Sequence, residues 1–127
     1  MIKTSIIVKL KVEGIHCWKN CPIEEVKYLR DLHRHTFGIA CKKEVNHDDR
    51  DVEFIEFKHK IQDYLNKKYF DTKFKCLLFN SMSCEMIAKE LMDEFDLEMC
   101  SVDEDDEFYG VVEKVEPVYV NSNSNPI

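Results

Sequence analysis

Two long runs of period two constrain this chain more than any other feature. In residues 4–12, Ile6, Val8, Leu10 and Val12 alternate with Lys9 and Lys11. Successive side chains on a strand point to opposite faces, so this run is a half-buried strand with one apolar face. In residues 33–45 one parity runs through His33, His35, Phe37, Ile39 and Cys41. Both imidazoles therefore belong to the inward, apolar face of a second strand. His16 has the parity of the apolar set on the first strand, with Gly14 as a point where the alternation could be interrupted.

The rest of the chain must cover that apolar face. Residues 17–31 are mixed: Asn20-Cys21-Pro22 marks a turn, and Ile23 to Leu29 reads as a short helix or a flap. A charged turn at Asn46 to Asp51 leads to a third short strand over Val52 to Phe57. The period then switches, and Phe57, Ile61, Tyr64, Leu65 and Lys68 form the stripe of an amphipathic helix ending at Tyr69. Phe70 to Phe79 reads as a connection anchored by Phe70, Phe74, Leu77 and Leu78. Ser83 is a candidate N-cap for a second helix with the stripe Cys84, Ile87, Ala88, Leu91 and Phe95. Leu97 to Val102 is a fourth strand, Asp103 to Glu107 an acidic turn, and Phe108 to Val120 a fifth strand. Residues 121–127 lack an apolar pattern and are expected to be disordered. The order predicts one α+β domain over residues 1–120, with two helices packed on one face of an antiparallel sheet. The sheet's edges would be covered by oligomerisation.

A length of 127 residues leaves no room for a second core. A net charge of −7 disfavours nonspecific binding to nucleic acid or to anionic membrane. The longest apolar runs fall far short of a spanning helix, Met1-Ile2-Lys3-Thr4 lacks the long apolar region expected of a secretory signal, and no lipidation motif is visible. Several of the six cysteines occupy apolar-patterned positions, and the chain can bury a core without staples. A reduced, cytoplasmic protein with free thiols is the expectation.

Three imidazoles with an open fourth position are the donor set of a catalytic zinc site. His16, His33 and His35 can supply it; histidines satisfied by backbone or acidic groups are the competing account. His47 and His59 lie in charged, solvent-facing stretches. Glu85 stands in the first turn of the second helix, where the dipole favours a carboxylate for binding or simply for capping. Glu104, at a strand end, can hold the amidine-like edge of a pterin or guanine through two parallel hydrogen bonds, or can be a surface residue of an acid-rich turn. Glu56 can hold a ligand or cap the entrance of the first helix.

These segments, in this order, resemble the 6-pyruvoyltetrahydropterin synthase and 6-carboxytetrahydropterin synthase family of pterin and queuosine metabolism. Gly14-Ile15-His16 is similar to that family's first ligand segment, and Leu32-His33-Arg34-His35-Thr36-Phe37 to its Leu-His-Gly-His segment, with Arg34 in place of glycine. Phe54-Ile55-Glu56-Phe57 is similar to the segment before the first helix. Met82-Ser83-Cys84-Glu85-Met86-Ile87-Ala88 resembles the Pro-Thr-x-Glu-Asn run, and Cys100 to Asp105 the final Val-x-Val-x-Glu-Thr run. The resemblance spans residues 5–113. It implies the T-fold, assembled into homotrimers or homohexamers with sites between subunits. It implies Zn2+ on His16, His33 and His35, a pterin-like or purine-like ring held by Glu104 with help from Ser83 and Glu85, and carbon–oxygen lyase chemistry on dihydroneopterin triphosphate or a related pterin.

The chain departs from the family at the proton-transfer groups. Leu29 stands where the family's catalytic cysteine stands. Asp71 matches the catalytic aspartate, but Thr72 replaces its histidine. Leucine and threonine cannot serve as acid–base groups near neutral pH. Cys17, Cys21 and Asp31 are the candidate substitutes, and Cys21 is also a candidate fourth metal ligand that would close the site. The alternative to a zinc lyase with noncanonical acid–base residues is a catalytically inactive T-fold that binds a pterin, purine, nucleotide or protein partner.

Overall fold

The fold is that of a computed structural model, which describes residues 1–116. The chain forms β1 (Thr4–His16), a kinked 3-10 segment (Glu24–Arg30), β2 (His33–Val45), α1 (Phe54–Tyr69), β3 (Phe70–Asp71), β4 (Cys76–Asn80), α2 (Cys84–Phe95), β5 (Met99–Glu104) and β6 (Phe108–Glu113). The strands make one sheet in the order β3-β4-β1-β2-β5-β6. Every neighbouring pair is antiparallel except β1 and β4. This is the α+β, T-fold-like arrangement expected, with both helices contributing to one core on one face of the sheet.

That core follows from the parity of the two long strands. Val8 pairs with Cys41, Leu10 with Ile39 and Val12 with Phe37, so one face of the β1–β2 ladder is apolar along its length. Phe57, Ile61 and Leu65 of α1 and Ile87, Ala88 and Leu91 of α2 cover it. Glu90 ties the two helices together by accepting hydrogen bonds from Tyr64 Oη at 2.8 Å and Tyr69 Oη at 2.6 Å.

Local capping overrides the predicted third strand. The Glu53 carboxylate accepts from the N–H groups of Ile55 and Glu56, satisfying donors that a helix start leaves free. Residues from Phe54 onward are therefore helical, although Val52, Phe54 and Glu56 alternate. The second helix starts where expected, with Ser83 Oγ accepting from Met86 N–H at 3.1 Å. The predicted connection over 70–79 contains β3 and β4, and β4 runs parallel to β1. Its buried run of Cys76, Leu77 and Phe79 carries little alternation because it is covered on both faces. β5 runs two residues further than the sequence pattern predicts, through Glu104, and β6 stops at Glu113, short of the expected end. Residues 117–127, including the predicted disordered tail, lie outside the described residues.

Gly14 does not interrupt β1. The ladder with β2 runs unbroken through Gly14↔His35 and Ile15↔Arg34 to His16↔His33. The glycine is needed because a Cβ there would stand 2.8 Å from the Phe79 ring and 2.9 Å from the Phe37 ring. Gly14→Ala is expected to force both rings to move and to cost about 1–3 kcal/mol, as overpacking does; a urea midpoint equal to that of the wild type would show the contact to be slack.

Candidate metal centre

Because His16 and His33 are directly opposed across β1 and β2, their side chains share one face, and His35 lies on that face two residues along. The ring centroids are 4.7 Å apart for His16 and His33, 5.3 Å for His16 and His35, and 5.0 Å for His33 and His35. Phe37 forms the apolar floor, edge-on to His16 at 5.1 Å and to His35 at 5.7 Å. One ring nitrogen from each histidine lies within 4.8 Å of the other two.

Each imidazole is turned by an acceptor behind it. Nδ1 of His16 lies 2.9 Å from the Met82 carbonyl, Nδ1 of His33 2.8 Å from the Asp31 carbonyl, and Nδ1 of His35 2.8 Å from the Asp105 carboxylate. Those oxygens only accept, so each Nδ1 carries a proton toward its partner. Nε2 of His16 and of His35 are buried with no hydrogen-bond partner among the described residues. Convergent imidazole nitrogens, each ring backed by an acceptor, are a donor set suited to a divalent metal ion of the kind that takes imidazole, zinc among them. Asp105 is suited to its place. Hydrogen bonds from His35 and from the Thr36 N–H hold its carboxyl below the usual carboxylate range, so it stays ionised behind the ring.

A cavity of about 480 Å³ opens beside the triad, lined at that end by His16, His33 and Glu104. Trp18, Leu29, Met82, Met86, Phe108 and Tyr109 give it apolar walls, and Cys17, Ser83, Cys84 and Glu85 are also in its lining. No lysine or arginine lines it among the described residues. Ser83 is committed to capping α2. Glu85 lies against β6, where a Cβ on Gly110 would stand 2.8 Å from its Oε1. Burial, with Glu104 nearby, pushes the Cys84 thiol up to about 12, which keeps it neutral.

The proposed substitutes fare differently. Cys17 lines the cavity. Cys21 is buried at 1% exposure with its thiol toward the carbonyls of Ile23 and Val26, and it is neither in the cavity lining nor in the ligand cluster. Asp31 is exposed and meets the site only through its backbone carbonyl. Asp71 accepts from the N–H groups of Lys73 and Phe74, closing its own turn outside the cavity. Glu56 is exposed on α1, pairs with Lys60 at 3.3 Å, and is also outside it. The sequence pattern does not reveal Asp105, the Met82 carbonyl or the aromatic walls at Trp18, Phe108 and Tyr109. Only Asp105 carries a signal, as the acid directly after the strand-end glutamate.

Two outcomes follow from this geometry. If the centre takes up zinc, Asp105→Asn should weaken that binding about 10–100-fold without abolishing it, the usual cost of a lost orienting partner; equal affinity in a chelator competition would remove Asp105 from the site. Burial, the largest influence, holds His16 below the ordinary imidazole value of 6.5. The unfolded chain takes up that proton more readily, so the stability contributed is present above 6.5 and is lost as the pH falls below it. Metal-free protein should therefore show a lower urea midpoint at acid pH than at pH 8, and a flat profile would contradict the burial argument.

No protein-family model matches the chain, and no curated protein matches it by sequence. Among solved structures, the crystal structure of uncharacterized protein WS1659 from Wolinella succinogenes is similar to it, with a TM-score of 0.61 at 9% identity, over 91% of this chain and 100% of that one. The likeness is one of fold. No helix among the described residues is long and apolar enough to cross a membrane.

Proposed function

We propose that this chain is a zinc-dependent protein of the 6-pyruvoyl/6-carboxytetrahydropterin synthase type, holding a pterin or related purine-like heterocycle beside its three histidines. The observation that carries this reading is the convergence of three imidazoles whose Nδ1 atoms are all engaged from behind. When bound, zinc would act as a Lewis acid on side-chain oxygens of the ligand and ease proton shifts there. The chain's own residues would hold the ring. Trp18, Phe108 and Tyr109 offer flat apolar surface, and Glu85 an acceptor for a ring's N–H edge. A cavity without lysine or arginine gives a triphosphate no counter-charge within one chain. A pterin with a short, weakly charged side chain suits it better than dihydroneopterin triphosphate.

Assembly into a homotrimer or homohexamer is part of the proposal. Among the described residues β4 pairs with β1 only at Gly14 to His16, and there most of the outer edge of β1 is open to another strand. A cytoplasmic location agrees with six free thiols, five of them buried.

A specific observation favours a second reading, in which the ring is bound but synthase turnover is lost. Leu29, at the position of the family's catalytic cysteine, lines the cavity as an apolar residue. Asp71 and Cys21 stand outside the lining, and Cys17 is the remaining thiol there with an unburied surface.

The test combines elemental mass spectrometry with the fluorescence of the chain's one tryptophan, Trp18. Protein purified without chelator should carry about one zinc per chain, lost in His33→Ala. Pterin or guanine should quench Trp18, and Glu85→Gln should raise the dissociation constant roughly tenfold or more, as losing a charged acceptor does. Absence of metal would sink the zinc reading; metal without quenching by either ring would sink the heterocycle. Turnover of a pterin that disappears in Cys17→Ala would favour the lyase over the binding protein.

A further inference from the structure

We infer that the cavity beside the triad selects flat organic cations, an aromatic or heteroaromatic ring carrying an amidinium, guanidinium or protonated amine, with Glu85 as the counter-ion. This rests on the heterocycle reading above, whose cavity it shares, and goes beyond it by fixing the sign of the ligand's charge. It does not depend on the metal.

The lining holds two carboxylates, Glu85 and Glu104, and among the described residues no lysine or arginine balances them. Glu104 stands at the inner end, its carboxylate 2.9 Å from Nε2 of His16 and 3.7 Å from Nε2 of His35. Glu85 is the carboxylate left to meet a ligand. It is exposed, so water solvates it in the open cavity. Gly110 makes room for it, since a Cβ there would stand 2.8 Å from Oε1 of Glu85. The Cys84 thiol, also in the lining, feels the same field: burial pushes it up, and Glu104 and Glu85 push it further in that direction.

A ligand filling about 480 Å³ displaces much of the water around Glu85. A neutral ring replaces that water with weaker partners, and an anion adds like charge. A cation restores what the water supplied. An amidinium edge does so with two parallel N–H donors, the arrangement that meets a carboxylate on both oxygens. The walls favour the same charge. Trp18, Phe108 and Tyr109 line the cavity, and aromatic ring faces carry negative electron density that attracts cations. Met82 and Met86 add conformable, polarizable surface for the body of a ring. A small inorganic cation would leave these walls uncovered, and an uncharged apolar ring would leave the carboxylate unpaired. A ring that carries positive charge satisfies both.

The deciding experiment uses the full chain as purified, with benzamidine and benzamide as probes at neutral pH. The two share one flat shape, and only benzamidine is positively charged. Quenching of Trp18 fluorescence should give a dissociation constant at least about 10-fold lower for benzamidine, the difference expected of a charge-assisted pair. Glu85→Gln should remove that preference and leave benzamide binding unchanged. Equal affinities for the two probes in the wild type, or a preference that survives intact in Glu85→Gln, would overturn the inference. Should Glu85→Gln fail to fold, the wild-type pair of titrations decides alone. The heterocycle reading fails separately: quenching by pterin or guanine without a preference for benzamidine would retain that reading and reject the cation, whereas a benzamidine preference without quenching by either heterocycle would retain the cation and reject the pterin. No quenching by any of the four compounds would reject both.

Discussion

The register between the two long strands is the constraint on which everything else depends. Because His16 lies opposite His33 and Gly14 opposite His35, one ladder decides both where the core begins and where the imidazoles meet. A side-chain period of two makes this an all-or-none choice, since a slip of one residue would send Val8, Leu10 and His16 to the other face. The hydrophobic effect selects the register through Val8, Leu10, Ile39 and Cys41, and the polar site inherits its position from that selection. Gly14 lets Phe37 and Phe79 close in under the triad, and so makes the end of the sheet a solid floor.

Electrostatics then separates the two ends of the site. Behind the rings stand acceptors on three different segments, at Asp31, Met82 and Asp105. In front are Glu104 and Glu85, with no basic side chain in the described lining. A region this rich in acceptors, at the edge of a low-dielectric core, is stable only with cationic or donor-rich company. The proposed metal and the proposed N–H edge of a heterocycle would be the same physical answer at two places in one cavity.

Much of this was legible in the order of residues, and the reasons differ. The parity of His33, His35, Phe37 and Ile39 predicts both the strand and the shared face, because a strand's geometry is set by immediate neighbours. Ser83 announces its helix for the same reason. β4 is hidden because a short strand buried on both faces has no alternation to display. The helix start at Phe54 is hidden because a single carboxylate, Glu53, outweighs the local pattern. Asp71 and Cys21 show the limit of arguing from spacing. Each lies at a plausible distance along the chain, yet one closes its own turn and the other is buried against its own loop's carbonyls. Partners such as the Met82 carbonyl carry no residue-type signal at all.

The half-paired β1 edge and the position of the triad have a bearing on how the chain reaches its native state. β1 and β2 are joined by residues 17–32, so aligning them carries the entropic cost of closing that loop. A cation that binds only when His16 faces His33 would act as a proofreader of that alignment, since it gives nothing to a ladder shifted by one residue. It would also fasten the ends of two neighbouring strands to each other.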